Sequence, residues 1–148
     1  MQMRTDLQDT TEALTLRRRS RSKRRRWEPG LVPLEHQEQA NLFARVWTYR
    51  NQIPELKCFF AVPNQGAARL KNLQTEGTMR GVFDTFLAVP RNGKHGLFGE
   101  MKRRKGGKVS QEQYAFAALV VAQGYEAQIW RGCEEAWTAI LQYLGVSL

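Results

Sequence analysis

Three residues, Asp84, Glu100 and Lys102, have the types and the spacing for metal-assisted chemistry on a phosphate. They lie in the stretch from Asp84 to Lys102, where two apolar runs are joined by a loop containing Pro90, Asn92, Gly93 and Gly96. This pattern predicts a β-hairpin whose first strand covers Val82 to Val89. Side chains alternate across a strand, so Phe98, Glu100 and Lys102 share one face. A half-buried strand rarely carries an acid and a lysine on one face unless something there needs them. Two carboxylates on neighbouring strands make a hard oxygen site suited to Mg²⁺. A lysine two residues beyond the second acid can hold the attacking water or neutralise charge building on a phosphate. The same triplet also occurs on solvated edge strands, so the elements around it decide.

Leu34 to Arg50 reads as the first of these elements, a helix with Glu35, Gln39, Leu42, Phe43, Val46 and Trp47 recurring at helical spacing. Glu35 falls near the centre line of that face and Glu38 near its edge. Glu35 is therefore the acid expected to look inward, with Glu38 as its substitute; an acid in the first turn is also favoured by the helix dipole alone. Pro54 ends the helix, and Lys57 to Val62 reads as a buried strand in which Cys58 is a small core residue. Pro63-Asn64-Gln65-Gly66 turns the chain, and Ala67 to Glu76 reads as one or two helical turns closed by Gly77. Gly77 and Gly81 are expected to permit close backbone approach ahead of Asp84.

After Lys102 comes a basic loop, Arg103-Arg104-Lys105-Gly106-Gly107-Lys108. Ser110 and Gln113 have the spacing of a capping box, opening an apolar helix through Tyr114, Phe116, Ala117, Leu119, Val120 and Val121. Tyr125 to Trp130 is the last strand. The final helix starts at Gly132-Cys133, with Ala136, Trp137, Ile140, Leu141 and Leu144 as its buried stripe. The order α, β, short α, β-hairpin, α, β, α predicts an α/β fold, a small mixed sheet flanked by helices.

At 148 residues, 42% hydrophobic and with four Trp, the chain allows one ordinary domain plus a tail. A net charge of +9 points to a polyanionic partner, nucleic acid before an acidic membrane. Residues 1 to 26 hold nine Lys and Arg against three acids, so most of the excess lies in an arm, residues 1 to 33, expected to be disordered. Such an arm neutralises phosphates by counterion release without reading bases. Cys58, Cys133, His36 and His95 are scattered, which argues against structural zinc. No apolar run is long enough for a bilayer, and a reduced, intracellular protein is expected.

Several motifs follow one another with short gaps: Val62-Pro63-Asn64-Gln65-Gly66, Gly81-Val82-Phe83-Asp84, Gly96-Leu97-Phe98-Gly99-Glu100-Met101-Lys102, Ser110-Gln111-Glu112-Gln113 and Gly124-Tyr125. In this order they resemble the VRR-NUC domain, a branch of the PD-(D/E)XK nuclease superfamily, over about Leu34 to Leu144. One departure is visible: the family usually has Pro directly before the metal-binding Asp, where this chain has Phe83.

The resemblance implies a restriction-endonuclease-like core over residues 34 to 148 and a Mg²⁺- or Mn²⁺-dependent endonuclease hydrolysing DNA phosphodiesters. Asp84 and Glu100 would be metal ligands, with the Met101 carbonyl as a further one and Glu35 as the helix acid that assists. Lys102 would orient or activate water, and Gln113 would position Lys102 or the nucleophile. Asn64, Arg69, Lys71, Arg80, Arg103, Arg104, Lys105 and Lys108 are the expected nucleic-acid contacts. Compact members of the family resemble branched-DNA endonucleases, including four-way (Holliday) junction resolvases of repair and recombination. Paired cuts then imply a homodimer, and the resemblance implies the bacterial cytoplasm or a phage-infected host cell, with the nucleus as the alternative. No membrane partner and no small-molecule cofactor beyond the metal are expected. The alternative is a basic nucleic-acid-binding module without turnover.

Overall fold

The computed structural model describes residues 32–63 and 77–147. The chain opens its first helix by folding Gln37 back, so that Oε1 accepts the Leu34 N–H at 2.9 Å. This satisfies one of the donors a first turn leaves over. Helix α1 then runs Glu35–Tyr49, with Glu38, Leu42 and Val46, four residues apart, as its buried line. Pro54 cannot continue a helix, and a 3₁₀ turn follows over Pro54–Cys58. Strand β1 is Phe59–Ala61, β2 is Thr85–Leu87 and β3 is Leu97–Lys102. Helix α2 (Gln111–Ala122), strand β4 (Glu126–Arg131) and helix α3 (Cys133–Leu144) complete the order.

The four strands lie in the order β1-β2-β3-β4. The first two pairings are antiparallel and the last is parallel, so α2 serves as the crossover between β3 and β4. Cross-strand register sorts the side chains into two faces. Phe59, Leu87 and Leu97 lie opposite one another and are buried against α1 and α3, with Leu42, Val46, Trp137 and Ile140. Each such side chain contributes roughly 1.5–3 kcal/mol on burial. Tyr143 fastens α3 to the sheet, its hydroxyl donating to the Val89 carbonyl at 2.7 Å.

The opposite face carries Phe60, Phe86 and Phe98, also in register, with ring centroids 5.8 and 4.4 Å apart in turn. Phe116 of α2 meets Phe98 edge-on at 5.2 Å and Phe83 at 5.6 Å. This face is less closely covered than the other. Phe116 is the one buried residue of α2, while Tyr114, Leu119 and Val121 on its outer side stay exposed.

Among the described residues the expected elements other than the short helix follow in the expected order and the mixed sheet is present, with three local differences. The strand expected over Lys57 to Val62 is only Phe59–Ala61, because Pro54 sets up the 3₁₀ turn that takes Lys57 and Cys58. Among the described residues it is an edge strand with Phe60 half exposed, and Cys58 is exposed and not a core residue. The strand expected over Val82 to Val89 pairs only at Thr85–Leu87. Trp47, placed on the inward face of α1 by its spacing, is 58% exposed and stacks under the Arg50 guanidinium at 4.4 Å. The hairpin connection itself turns at Asn92 and Gly93, both with positive φ, between Arg91 and Lys94. The helical turns expected over Ala67 to Glu76 lie outside the described residues, as do residues 1–31 of the basic arm.

Candidate active site

Pairing between β2 and β3 stops at Thr85 and Gly99, and among the described strands the last residues of β3 run on beside β4 alone. Asp84, at the bend just before β2, fills the opening. Its Oδ2 accepts the Met101 N–H at 3.2 Å, and its own N–H donates to Glu100 Oε2 at 3.1 Å. Carboxylates thus take the place of ladder carbonyls. In a strand the N–H and C=O of one residue leave on the same edge, so the Met101 carbonyl emerges on the Asp84 side. Below the opening, Thr85 Oγ1 donates to the Gly99 carbonyl at 2.8 Å and closes the sheet.

Glu100 is 1% exposed and its Oε1 accepts from Lys102 Nζ at 2.7 Å. Gln113 Nε2 donates to the same oxygen. Burial is the main force raising the carboxyl to about 7; the Lys102 hydrogen bond opposes it and the neighbouring Asp84 charge adds to it. Lys102 is itself buried, and its Nζ lies 3.9 Å from Glu35 Oε1. Oxygens of Glu35, Asp84 and Glu100 all fall within 4.8 Å of one another. Two of the three carboxylates, Glu35 and Glu100, face the one lysine. An oxygen-only set of this kind fits a hard divalent cation.

Gln113 shows how the local fold aims a functional group. Its Oε1 accepts the Ser110 N–H at 2.9 Å while Ser110 Oγ accepts the Gln113 N–H at 3.2 Å, the reciprocal cap of α2. With the amide oxygen committed to the cap, the NH₂ group is left to face Glu100. One side chain thus makes the cap expected from the Ser110-Gln113 spacing and also bonds Glu100, the neighbour of Lys102. Gly81 brings the preceding segment close: at φ +82° it packs so near the Glu112 carbonyl that a Cβ would collide with it.

The two acids of α1 exchange the places their spacing predicted. Glu38 is completely buried, whereas the Glu35 side chain is 42% exposed. Glu35 is nevertheless the one that joins Asp84 and Glu100. As the first residue of α1 it lies at the helix end nearest Lys102, beyond the packed core. Glu38, one turn on, meets the start of α3, where Oε2 accepts the Cys133 N–H at 2.9 Å. Its Oε1 lies 2.9 Å from Arg104 Nε. Neither contact follows from the spacing along α1; the signal available is a second acid one turn after Glu35 together with the Gly132-Cys133 helix start.

Arg80, Arg103, Arg104, Lys105 and Lys108 are exposed. All but Arg80 belong to the loop leaving β3 directly after Lys102. Asn64, Arg69 and Lys71 lie outside the described residues. Among the described residues no His or Cys joins the acidic group, and no helix is long and apolar enough to cross a membrane.

No family model and no curated protein matches the chain. A solved structure named "VRR_NUC domain protein" is similar to it, with a TM-score of 0.67. It is 20% identical, and the match covers 81% of this chain and 93% of that one. The likeness is one of fold: this is the α/β architecture expected from the motif order, a restriction-endonuclease-like core, shared over almost the whole of the neighbour.

Proposed function

We propose that the chain is a metal-dependent DNA endonuclease selective for branched structures. The observation that carries this reading is the convergence of Glu35, Asp84 and Glu100 around the buried Lys102, on a fold shared with a VRR_NUC domain protein. Asp84, Glu100 and Glu35, with the Met101 carbonyl, would hold Mg²⁺ or Mn²⁺, which would supply Lewis-acid stabilisation of charge on a phosphate and activation of water. Lys102 orients water and offsets negative charge at the reacting phosphate. Gln113 holds Glu100 in place through its capped amide. Arg103, Arg104, Lys105 and Lys108 contact neighbouring phosphates, which fixes register without reading sequence. An intracellular setting goes with this reading.

One site cuts one strand, and paired nicks across a junction call for two copies related by a two-fold axis. The outer side of α2 supports a homodimer. From Gln113 to Tyr125 there is no charged residue, and Tyr114, Leu119 and Val121 are exposed. Two chains of net charge +9 repel one another least across such a face.

The test is cleavage of labelled four-way junction, flap and linear duplex DNA with Mg²⁺ or Mn²⁺, comparing wild type with Lys102→Ala and Asp84→Ala. Cleavage by wild type alone, with paired symmetric nicks on the junction, is the expected outcome. A folded protein that binds all three DNAs and cuts none would replace the enzyme with a non-catalytic binding module. Sedimentation of Leu119→Arg beside wild type checks the dimer: the variant is expected to be a monomer, and an unchanged sedimentation coefficient would place any dimer interface elsewhere.

A further inference from the structure

Arg104 leaves β3 two residues after Lys102 and is folded back over Gly132. At φ +91°, Gly132 leaves room that a side chain would take away: a Cβ would come 2.8 Å from Arg104 Nε and 2.9 Å from Arg104 Cγ. The guanidinium is thereby seated at the start of α3, where Glu38 Oε1 lies 2.9 Å from Nε. The approach is oblique to the N–H bond, so Oε1 has no well-aligned hydrogen bond and the two groups are held as an ion pair. The other carboxylate nearby, Glu134, is already paired with Arg45. Half of the Arg104 side chain remains exposed, and no group among the described residues bonds its terminal nitrogens.

Burying the Glu38 carboxylate is expensive unless something offsets its charge. A buried acid that spends this on a surface arginine, one helical turn from Glu35, sets that arginine in a fixed place. Resting on the nuclease reading above, we infer that Glu38 is a positioning residue for Arg104, and that Arg104 presents its two terminal nitrogens to a backbone phosphate next to the one that is cut. A planar guanidinium held by one edge offers the remaining edge to a phosphate as a fork, which a freely rotating lysine does not. Arg104 thus differs from Arg103, Lys105 and Lys108 in the same loop, for which the described residues provide no comparable buried carboxylate partner.

The experiment is binding of a labelled four-way junction in EDTA, by anisotropy, at a series of salt concentrations, with thermal melts confirming that each variant is folded. Arg104→Ala is expected to weaken binding about tenfold and to lower the slope of log Kd against log salt by about 0.9, the signature of one lost phosphate contact. Glu38→Gln is expected to weaken binding as much in wild type but less than twofold more when added to Arg104→Ala. Added to Lys105→Ala it should act in full. Should Glu38→Gln not fold, Glu38→Asp, which keeps the charge and draws it back from Nε, is expected to give the same loss. An unchanged salt slope in Arg104→Ala, or losses from Arg104→Ala and the Glu38 variant that simply multiply, would overturn the assignment while leaving the nuclease reading intact. A wild-type protein that binds no DNA would overturn both.

Discussion

The seam between α1 and α3 and the opening between β2 and β3 each hold a fully buried carboxylate, Glu38 in one and Glu100 in the other. In the seam the charges balance: one carboxylate faces one guanidinium and one helix amide. In the opening they do not, since Glu35 and Glu100 both face Lys102, with Asp84 close beside the two acids. Balanced burial makes a fastening. Unbalanced burial leaves a carboxyl raised to about 7 and a place for added positive charge.

The sharpest break in this contrast is expected from Lys102→Ala, which should lower cleavage by about 10³-fold with little change in the far-ultraviolet circular dichroism spectrum. Retained cleavage would remove Lys102 from the reaction. Next comes Glu38→Ala, expected to cost about 3 kcal/mol of folding stability in urea titrations, because it leaves the Cys133 N–H without its acceptor and opens a cavity between α1 and α3. A loss under about 1 kcal/mol would mean that the seam is held by its apolar contacts alone.

Glu100 ties stability to pH. Between the ordinary carboxyl value of 4.5 and about 7, the folded chain keeps a proton that the unfolded chain has released. The stabilisation from this group is full below 4.5 and is lost as pH rises through about 7, a change of up to about 3 kcal/mol. Glu100→Gln should lack this slope, so that the difference between the two proteins carries it, and Mg²⁺ at pH 8 should stabilise wild type more than the variant. Parallel pH profiles would contradict the unbalanced site. The smallest effect is expected from Gln113→Ala, about a tenfold fall in cleavage together with the loss of a helix cap. A drop in stability at constant rate would assign Gln113 to the cap alone.

Much of this arrangement was legible because it rests on local rules. Alternation along a strand put Glu100 and Lys102 on one side, and Asn92-Gly93 and Ser110-Gln113 are turn and cap signals that need no tertiary knowledge. The misplaced residues are those decided by neighbours distant in sequence. Which α1 acid is buried depends on where the N-terminus of α3 arrives, ninety-five residues away at Cys133. Cys58 and Phe60 look like core residues by composition, yet among the described residues β1 has a partner on one side only. Trp47 lies one position from the buried line of α1 and finds an arginine where spacing suggested packing.

The double duty of Gln113 has a consequence for motion. A helix frays from its ends, and the first turn of α2 is tied to Glu100 through that one amide. Each transient opening of the turn therefore also lets go of the carboxylate. Amide hydrogen exchange at Ser110 and Gln113 should then be a clock for how often the site loses its alignment, and slower exchange on adding divalent metal would show the two ends of the side chain moving as one unit.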